Sequence, residues 1–378
     1  MSEDTNKQTT DGQAEKNQQK QKKFRVAEKA LREVFRDIRP DGSEVPWVSK
    51  KLRGIPVAES FSRQGDEDRA DRMRYCGSCL EFLKMVKAVE DGTTDAKTKY
   101  KLFRAYLCKD RFCPMCAWRR SLRTLYVLVK CMERVFKIRP KLVPLLLTVS
   151  IPSPRAAVTD LSRGLDVALE GWHRLMVDRR VKAAVKGWFR SLELTHNVVK
   201  DTIHVHIHAL LLVPYDKYLR RKLTYIDHTE WLELWRRAAR DERITQVDIR
   251  RAKDKSGKKS AKGTSLPGYM LELSKYITKD DSFIFEDHEL TDRMLSVLSR
   301  ALRKRRFHSS GGIMKKIAAE LALLDEEGDE DLMKVWDGDD SEGWKVVAAL
   351  LVQWHSEFSS YFVAEEVEIG ENQVCLED

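Results

Sequence analysis

The stretch Ile203-His204-Val205-His206-Ile207-His208-Ala209-Leu210-Leu211-Leu212-Val213 constrains this chain more than any other. It alternates with the period of a β-strand, so successive side chains leave on opposite faces. Ile203, Val205, Ile207 and Ala209 then enter a core, while His204, His206 and His208 share the other side. Three imidazoles in a row cost free energy if hidden without partners. They suit a divalent metal, for which imidazole is the commonest protein ligand. A single strand histidine is more often a satisfied core or surface group, but three at this spacing read as a metal row.

The neighbouring segments extend that site. A strand is predicted over Phe189–Val198, and a turn around Lys200-Asp201 returns it antiparallel into the histidine strand. Cross-strand neighbours on one face lie within about 5 Å. Glu193 can therefore complete a two-histidine, one-carboxylate site that keeps open positions and accepts Mg²⁺ or Mn²⁺. Taken alone, it reads equally well as a surface carboxylate. Further on, a helix opens at Pro267 and runs to about Thr278. At about 100° per residue, Glu272, Tyr276 and Lys279 fall within roughly 60° of one another, opposite Met270, Leu273 and Ile277. Such a pattern is usually helix surface. After a metal strand it also fits a nucleophile with helpers. A phenol needs them, because its pKa is about 10.

The cysteines form a second constellation. Cys76-Gly-Ser-Cys79 and Cys113-Pro-Met-Cys116 are two C-x-x-C pairs, enough thiolates for tetrahedral zinc, and Cys108 is a fifth candidate. A closed all-thiolate shell is structural rather than catalytic. Phe82–Lys87 and Tyr100–Leu107 read as hairpin strands between the knuckles, and a helix from Trp118 to about Phe136 follows. Its arginines face phosphates or solvent.

Elsewhere the pattern is mixed. Residues 1–23 are polar and read as a disordered tail, Phe24–Ile38 as a short helix, and the stretch to about residue 70 carries no clear pattern. From Pro140 come a buried strand over Leu142–Ser150, a helix over Thr159–Met176, a helix over Tyr225–Arg240 and a strand over Thr245–Ala252. Lys253–Ser265 is a loop by composition, and further helices are expected over Asp292–Arg306 and Ile313–Leu324. The expected division is a tail (1–23), a helix and linker (24–70), a zinc-binding module (71–136), a catalytic domain (137–290) and a helical, acidic C-terminal region (291–378).

Charge narrows the partner. The net charge of +10 conceals a split: from Asp325 onward there are 17 acidic and 2 basic residues, so residues 1–324 carry +25. A body so basic points to a polyanion, most simply nucleic acid. No apolar run reaches membrane-spanning length and no secretory signal opens the chain, so a cytoplasmic protein without a membrane partner is expected. No G-x-x-x-x-G-K-[ST] occurs, so strand separation on duplex DNA would fall to another protein.

In order along residues 70–285, FCPMCAWRR, LLLTVS, ELTHN with HVHIHALLLV, WLELWRRA and ELSKYITK resemble the motifs of the plasmid rolling-circle replication initiators of Gram-positive bacteria, the Rep_1-type family within the HUH endonuclease superfamily. The resemblance implies an α+β fold, a central antiparallel sheet flanked by helices (HUH nuclease, RRM/ferredoxin-like), with a small zinc module. It implies that His206, His208 and Glu193 hold a catalytic Mg²⁺ or Mn²⁺, and that Tyr276 cuts the origin and stays joined to the 5′ phosphate. Glu272 would activate the water that ends replication, and Lys279 would sit against the phosphate or phenolate. Thr148, His204 and Lys275 would contact DNA. The structural Zn²⁺ would be held by Cys76, Cys108, Cys113 and Cys116, with Cys79 left over, unlike the two-pair reading. Implied partners are single-stranded or hairpin origin DNA, host helicase and replication proteins, and a second copy of the chain in a homo-oligomer. Two rivals are a single-strand DNA transposase of the same superfamily and a zinc-dependent DNA-binding regulator without catalysis.

Overall fold

The computed structural model describes residues 46–87, 97–252, 282–321, 323, 332–333, 335 and 343–369. In chain order the elements are α1 (Trp47–Arg63), α2 (Glu67–Tyr75), β1 (Cys79–Lys87), β2 (Lys97–Ala105), α3 (Pro114–Ile138), β3 (Leu142–Ser150) and α4 (Val158–Val177). They continue as α5 (Arg179–Ala184), β4 (Gly187–Asn197), β5 (Thr202–Pro214), a π-helical turn (Tyr215–Arg220), α6 (His228–Ala239) and β6 (Val247–Arg251). The last are α7 (His288–Ala301), β7 (His308–Gly312), α8 (Ile313–Glu320), β8 (Lys345–His355), a 3₁₀ turn (Ser356–Phe358) and β9 (Ser360–Glu368). Local chemistry sets several starts: Pro114 opens α3, and the side chains of Asp178, Asp227 and Asp287 accept from the first backbone amides of α5, α6 and α7. The tail at 1–23, the helix expected over Phe24–Ile38, the loop at Lys253–Ser265 and the helix opening at Pro267 lie outside the described residues. Among those described, no helix is long and apolar enough to cross a membrane.

The chain divides into two compact units. The larger, residues 56–70 and 109–336, contains a five-stranded antiparallel sheet in the order β6-β3-β5-β4-β7. The histidine strand β5 is its centre. On one face Val205, Ile207, Ala209, Leu211 and Val213 are buried beside Leu145, Leu147, Val149, Leu192 and Leu194 of the flanking strands. α4 covers this face with Leu161, Leu165, Ala168 and Trp172, and α6 and α7 pack on α4. The approach of α6 is close: a Cβ on Gly171 would stand 3.1 Å from Ala239 Cα. On the other face Phe189, Leu210 and Leu212 join Leu125, Leu128 and Met132 of α3 and Met314 and Ile317 of α8 in one apolar cluster. Among the described residues that cover stops at Leu210, short of the imidazoles.

The smaller unit, residues 1–55, 71–108 and 337–378, has a four-stranded antiparallel sheet in the order β2-β1-β8-β9. Leu80, Phe82, Ala348, Leu350, Val352 and Tyr361 are buried, and Trp47 meets Phe82 edge-on at 5.6 Å. The predicted hairpin is present, but its sheet is completed from the far end of the chain. The expectation of a helical C-terminal region is thereby corrected. α7 and α8 are helical, whereas β7, β8 and β9 are strands. Lys345–His355 carries Val346, Val347, Val352 and Trp354, residues that fit a half-buried pleated surface, and it finds its partner in β1. β7, His-Ser-Ser-Gly-Gly, has almost no apolar pattern of its own. Its glycines admit the backbone of β4 and the ring of Trp188, which a Cβ on Gly311 would meet at 2.3 Å.

Gly312 joins β7 to α8 at φ +60°, and a Cβ there would stand 2.4 Å from Lys186 O. Gly312→Ala should therefore lower stability by roughly 1–3 kcal/mol. Gly54, inside α1 with open space around it, should tolerate Ala with a gain of about 0.5–1 kcal/mol. Urea unfolding of both variants checks the contrast.

Candidate metal centres

The register of β4, β5 and β3 assembles the first centre. His206 pairs with Glu193 on β4 and Ser150 on β3, and His208 pairs with Ser191 and Thr148. Paired residues share a face, so all of these look the same way as His204. The His206 and His208 rings stack at 6.0 Å with 14° between planes, and His204 follows at 6.1 Å. Glu193 Oε2 lies 2.7 Å from His208 Nε2. Two hydroxyls meet the far nitrogens: Thr148 Oγ1 is 3.1 Å from His208 Nδ1, and Ser153 Oγ is 2.9 Å from His204 Nδ1. Burial, reinforced by the neighbouring His208, pulls His206 below the ordinary imidazole range, and Glu193 opposes this only in part. A neutral imidazole is the form that ligates metal. Two imidazoles and a carboxylate on adjacent strands are a donor set that suits a divalent cation with open positions.

A fourth histidine extends the row without joining it. His308 on β7 pairs with Ser191, but its ring stacks on Phe189 at 5.7 Å. Closure of its ring from solvent, with Arg190 and Arg120 nearby, drives this imidazole well below its ordinary value. It packs as an apolar residue of the sheet edge.

The second centre is the cysteine group. Ligand atoms of Cys76, Cys108, Cys113 and Cys116 all lie within 4.8 Å of one another, the one group of three or more such ligands among the described residues. Four thiols at this separation could hold a metal ion, and a tetrahedral zinc with Zn–S of about 2.3 Å is the natural fit. Cys113 and Cys116 belong to the first turn of α3, where the helix dipole favours thiolate. Cys108 N donates to Cys76 Sγ at 3.4 Å, and Gly77 N donates to Tyr106 O at 2.8 Å. Lys51, buried, donates through Nζ to the carbonyl oxygens of Arg74 and Cys76 and to Ser78 Oγ, while Tyr361 donates to Gly77 O. Asp110 accepts from Phe112 N at 2.8 Å and from Arg69 Nε at 2.7 Å, which shapes the loop between Cys108 and Cys113. Cys79 stands apart on β1, exposed, its thiol pushed up by burial and by Glu81. The arrangement built from two C-x-x-C pairs, which needs Cys79, is not the one the fold makes. Cys131 is buried in the apolar cluster and its thiol is pushed up to about 11.

Of the expected site residues, the structure brings Glu193, His204, His206, His208 and Thr148 onto one face, and gathers the four cysteines. Tyr276, Glu272, Lys279 and Lys275 lie outside the described residues. Arg119 and Arg123 of α3, expected at phosphates or solvent, are buried instead, and Arg119 donates to the backbone of Leu332 and Met333. The sequence reading missed Lys51, Ser153, Asp110 and Tyr361. Asp110 had a signal in its place between two cysteines, and the other three had none, since their partners are distant in the chain or off the strand.

The family model described as Replication protein matches residues 99–362. A protein named Protein rep from Streptococcus pneumoniae serotype 2 is 29% identical over 332 residues, covering 87% of this chain and 95% of that protein. Another Protein rep, from Bacillus amyloliquefaciens, is 31% identical over 346 residues, covering 87% and 97%. A third, from Bacillus sp, is 33% identical over 270 residues, covering 68% and 83%. No solved structure matches the chain.

If the cysteine group holds zinc, purified protein should carry about one equivalent by elemental analysis. Serine at Cys76, Cys108, Cys113 or Cys116 should remove it and lower the melting temperature, whereas Cys79→Ser and Cys131→Ser should keep it. Loss of zinc in Cys79→Ser would mean the ligand set is wrong.

Proposed function

Because this chain belongs to the Replication protein family, we propose that it starts rolling-circle replication of a plasmid by nicking and rejoining one strand of the origin. The observation that carries this reading is the common face of Glu193, His206 and His208 on adjacent strands of an antiparallel sheet. On this reading the five-stranded sheet is the core of an HUH nuclease domain, and the cysteine group is a structural zinc site that steadies the neighbouring chain.

The reaction is a transesterification. The Tyr276 oxygen gives up its proton and attacks the scissile phosphorus, the bond to the 3′ oxygen breaks, and that oxygen takes up a proton and leaves as a 3′-OH primer. The 5′ phosphate stays on the tyrosine, so the energy of the phosphodiester is kept for rejoining. His206, His208 and Glu193 would hold Mg²⁺ or Mn²⁺, which when bound would neutralise charge on the phosphate and make a phenol of pKa about 10 a competent nucleophile near neutrality. His204, on the same face, would donate to a phosphate oxygen, and Lys275 and Lys279 would add positive charge on the nucleophile's side. Glu272 would act as general base, taking a proton from the water that releases the tyrosine at termination. The basic body of residues 1–324 fits a polyanionic partner, and a host helicase would separate the strands. The DNA would be single-stranded or extruded as a hairpin.

Incubating the protein with Mn²⁺ and a single-stranded origin oligonucleotide tests the proposal. A 5′-tyrosyl adduct should form and be absent from Tyr276→Phe, and an adduct persisting in that variant would show that another residue is the nucleophile. Glu272→Ala should still nick but release product roughly 100-fold more slowly. Unchanged release would remove its proposed role.

A further inference from the structure

Two of the three imidazoles in the row are met at the same nitrogen by a hydroxyl. Thr148 stands opposite His208 in the β3–β5 register, with its Oγ1 3.1 Å from Nδ1. Ser153, just past the end of β3, brings its Oγ to 2.9 Å from His204 Nδ1. In each ring Nδ1 is taken, which leaves Nε2 as the nitrogen to face anything on the open side. In His208 that nitrogen meets Glu193 at 2.7 Å. A carboxylate only accepts, so Nε2 carries a proton; in the neutral ring Nδ1 is then bare, and the Thr148 hydroxyl donates to it.

A cation held by His208 through Nε2 reverses this. Nε2 must be bare to ligate, so the proton resides on Nδ1, and Thr148 Oγ1 must accept it. A hydroxyl can do either, by rotating its own hydrogen. A carboxylate could serve only the second state and an ammonium only the first. The ring orientation thus survives the change from the Glu193-bonded state to the ligating one, and a neutral His208 moves its proton from one nitrogen to the other with no net release.

We propose that Thr148 is a positioning residue for His208, holding the ring through a hydrogen bond whose direction inverts when the cation displaces the Glu193 contact, and that Ser153 holds the His204 ring through Nδ1 without such an inversion. This gives Thr148 a role other than the DNA contact that the family resemblance implies, and it rests on the metal reading of the histidine face. Thr148 acts through the imidazole and touches neither substrate nor cation.

The test uses Thr148→Val, which keeps the shape of the side chain and removes the hydroxyl, with Thr148→Ser as the rescue. Mn²⁺ alone is titrated calorimetrically into the full-length, zinc-supplemented protein. Thr148→Val should bind it at least about 10-fold more weakly, while Thr148→Ser stays near wild type. Equal affinity for wild type and Thr148→Val would overturn the inference. Nitrogen-15 NMR of the zinc-supplemented protein without Mn²⁺ gives a readout independent of Mn²⁺ binding: His208 should be protonated at Nε2 in wild type. Protonation at Nδ1 there would also overturn it. Ser153→Ala leaves the strand untouched and should release the His204 tautomer preference, and an unchanged His204 spectrum would remove Ser153 from the proposal. If wild type binds no Mn²⁺ while the NMR result stands, the metal reading fails and the positioning claim for a ligand falls with it.

Discussion

The alignment of β5 against β4 and β3 is the constraint on which the larger unit depends. Side chains alternate along a strand, so a slip of one residue would exchange its two faces completely. His204, His206 and His208 would then face Leu161 and Trp172 of α4, and Ile203, Val205 and Ile207 would face water. Both exchanges are costly, one through unpartnered imidazoles and the other through lost apolar burial. Chemistry and stability therefore select the same register. The boundary of the site follows from the same strand. At Leu210 the polar face becomes apolar, and there α3 and α8 supply an apolar cover that, among the described residues, does not extend over the imidazoles.

The two candidate donor sets have different surroundings. The cysteine group is closed, with Cys76, Cys113 and Cys116 buried and the adjoining backbone tied by Lys51 and Tyr361. Burying a lysine ammonium is tolerable because three oxygens accept from it. The histidine group is half-buried among the described residues, and its supports are hydroxyls, which keep their bonds in more than one protonation state. A structural site gains from fixed partners, whereas a site that must accept a substrate oxygen gains from adaptable ones.

The legibility of the chain varied with the range of the interactions involved. Strict alternation exposed β5, and the neighbouring turn exposed β4, so Glu193 on the histidine face was legible in the sequence, while its pairing with His206 came from the fold. Helices with an apolar stripe and a start signal, such as α3 and α4, were found within a few residues of their ends. β7 was missed because Gly311 and Gly312 carry no pattern and only the approach of Trp188 and Lys186 explains them. β8 and β9 were missed as partners of β1, since pairing over such a separation leaves no local trace and loop closure opposes it only logarithmically.

By itself, the sequence determined the two donor sets, because residue identity and a period of two or three decide which atoms can share a face. It narrowed the candidate metal-binding thiols to five cysteines, and spacing alone favoured a set containing Cys79. Only tertiary structure put Cys79 on the exposed side of a strand and drew Cys108 in with the others. It also decided where the cover ends over the histidine strand and which hydroxyls reach its rings. Those outcomes depend on contacts between segments far apart in the chain, and no local pattern encodes them.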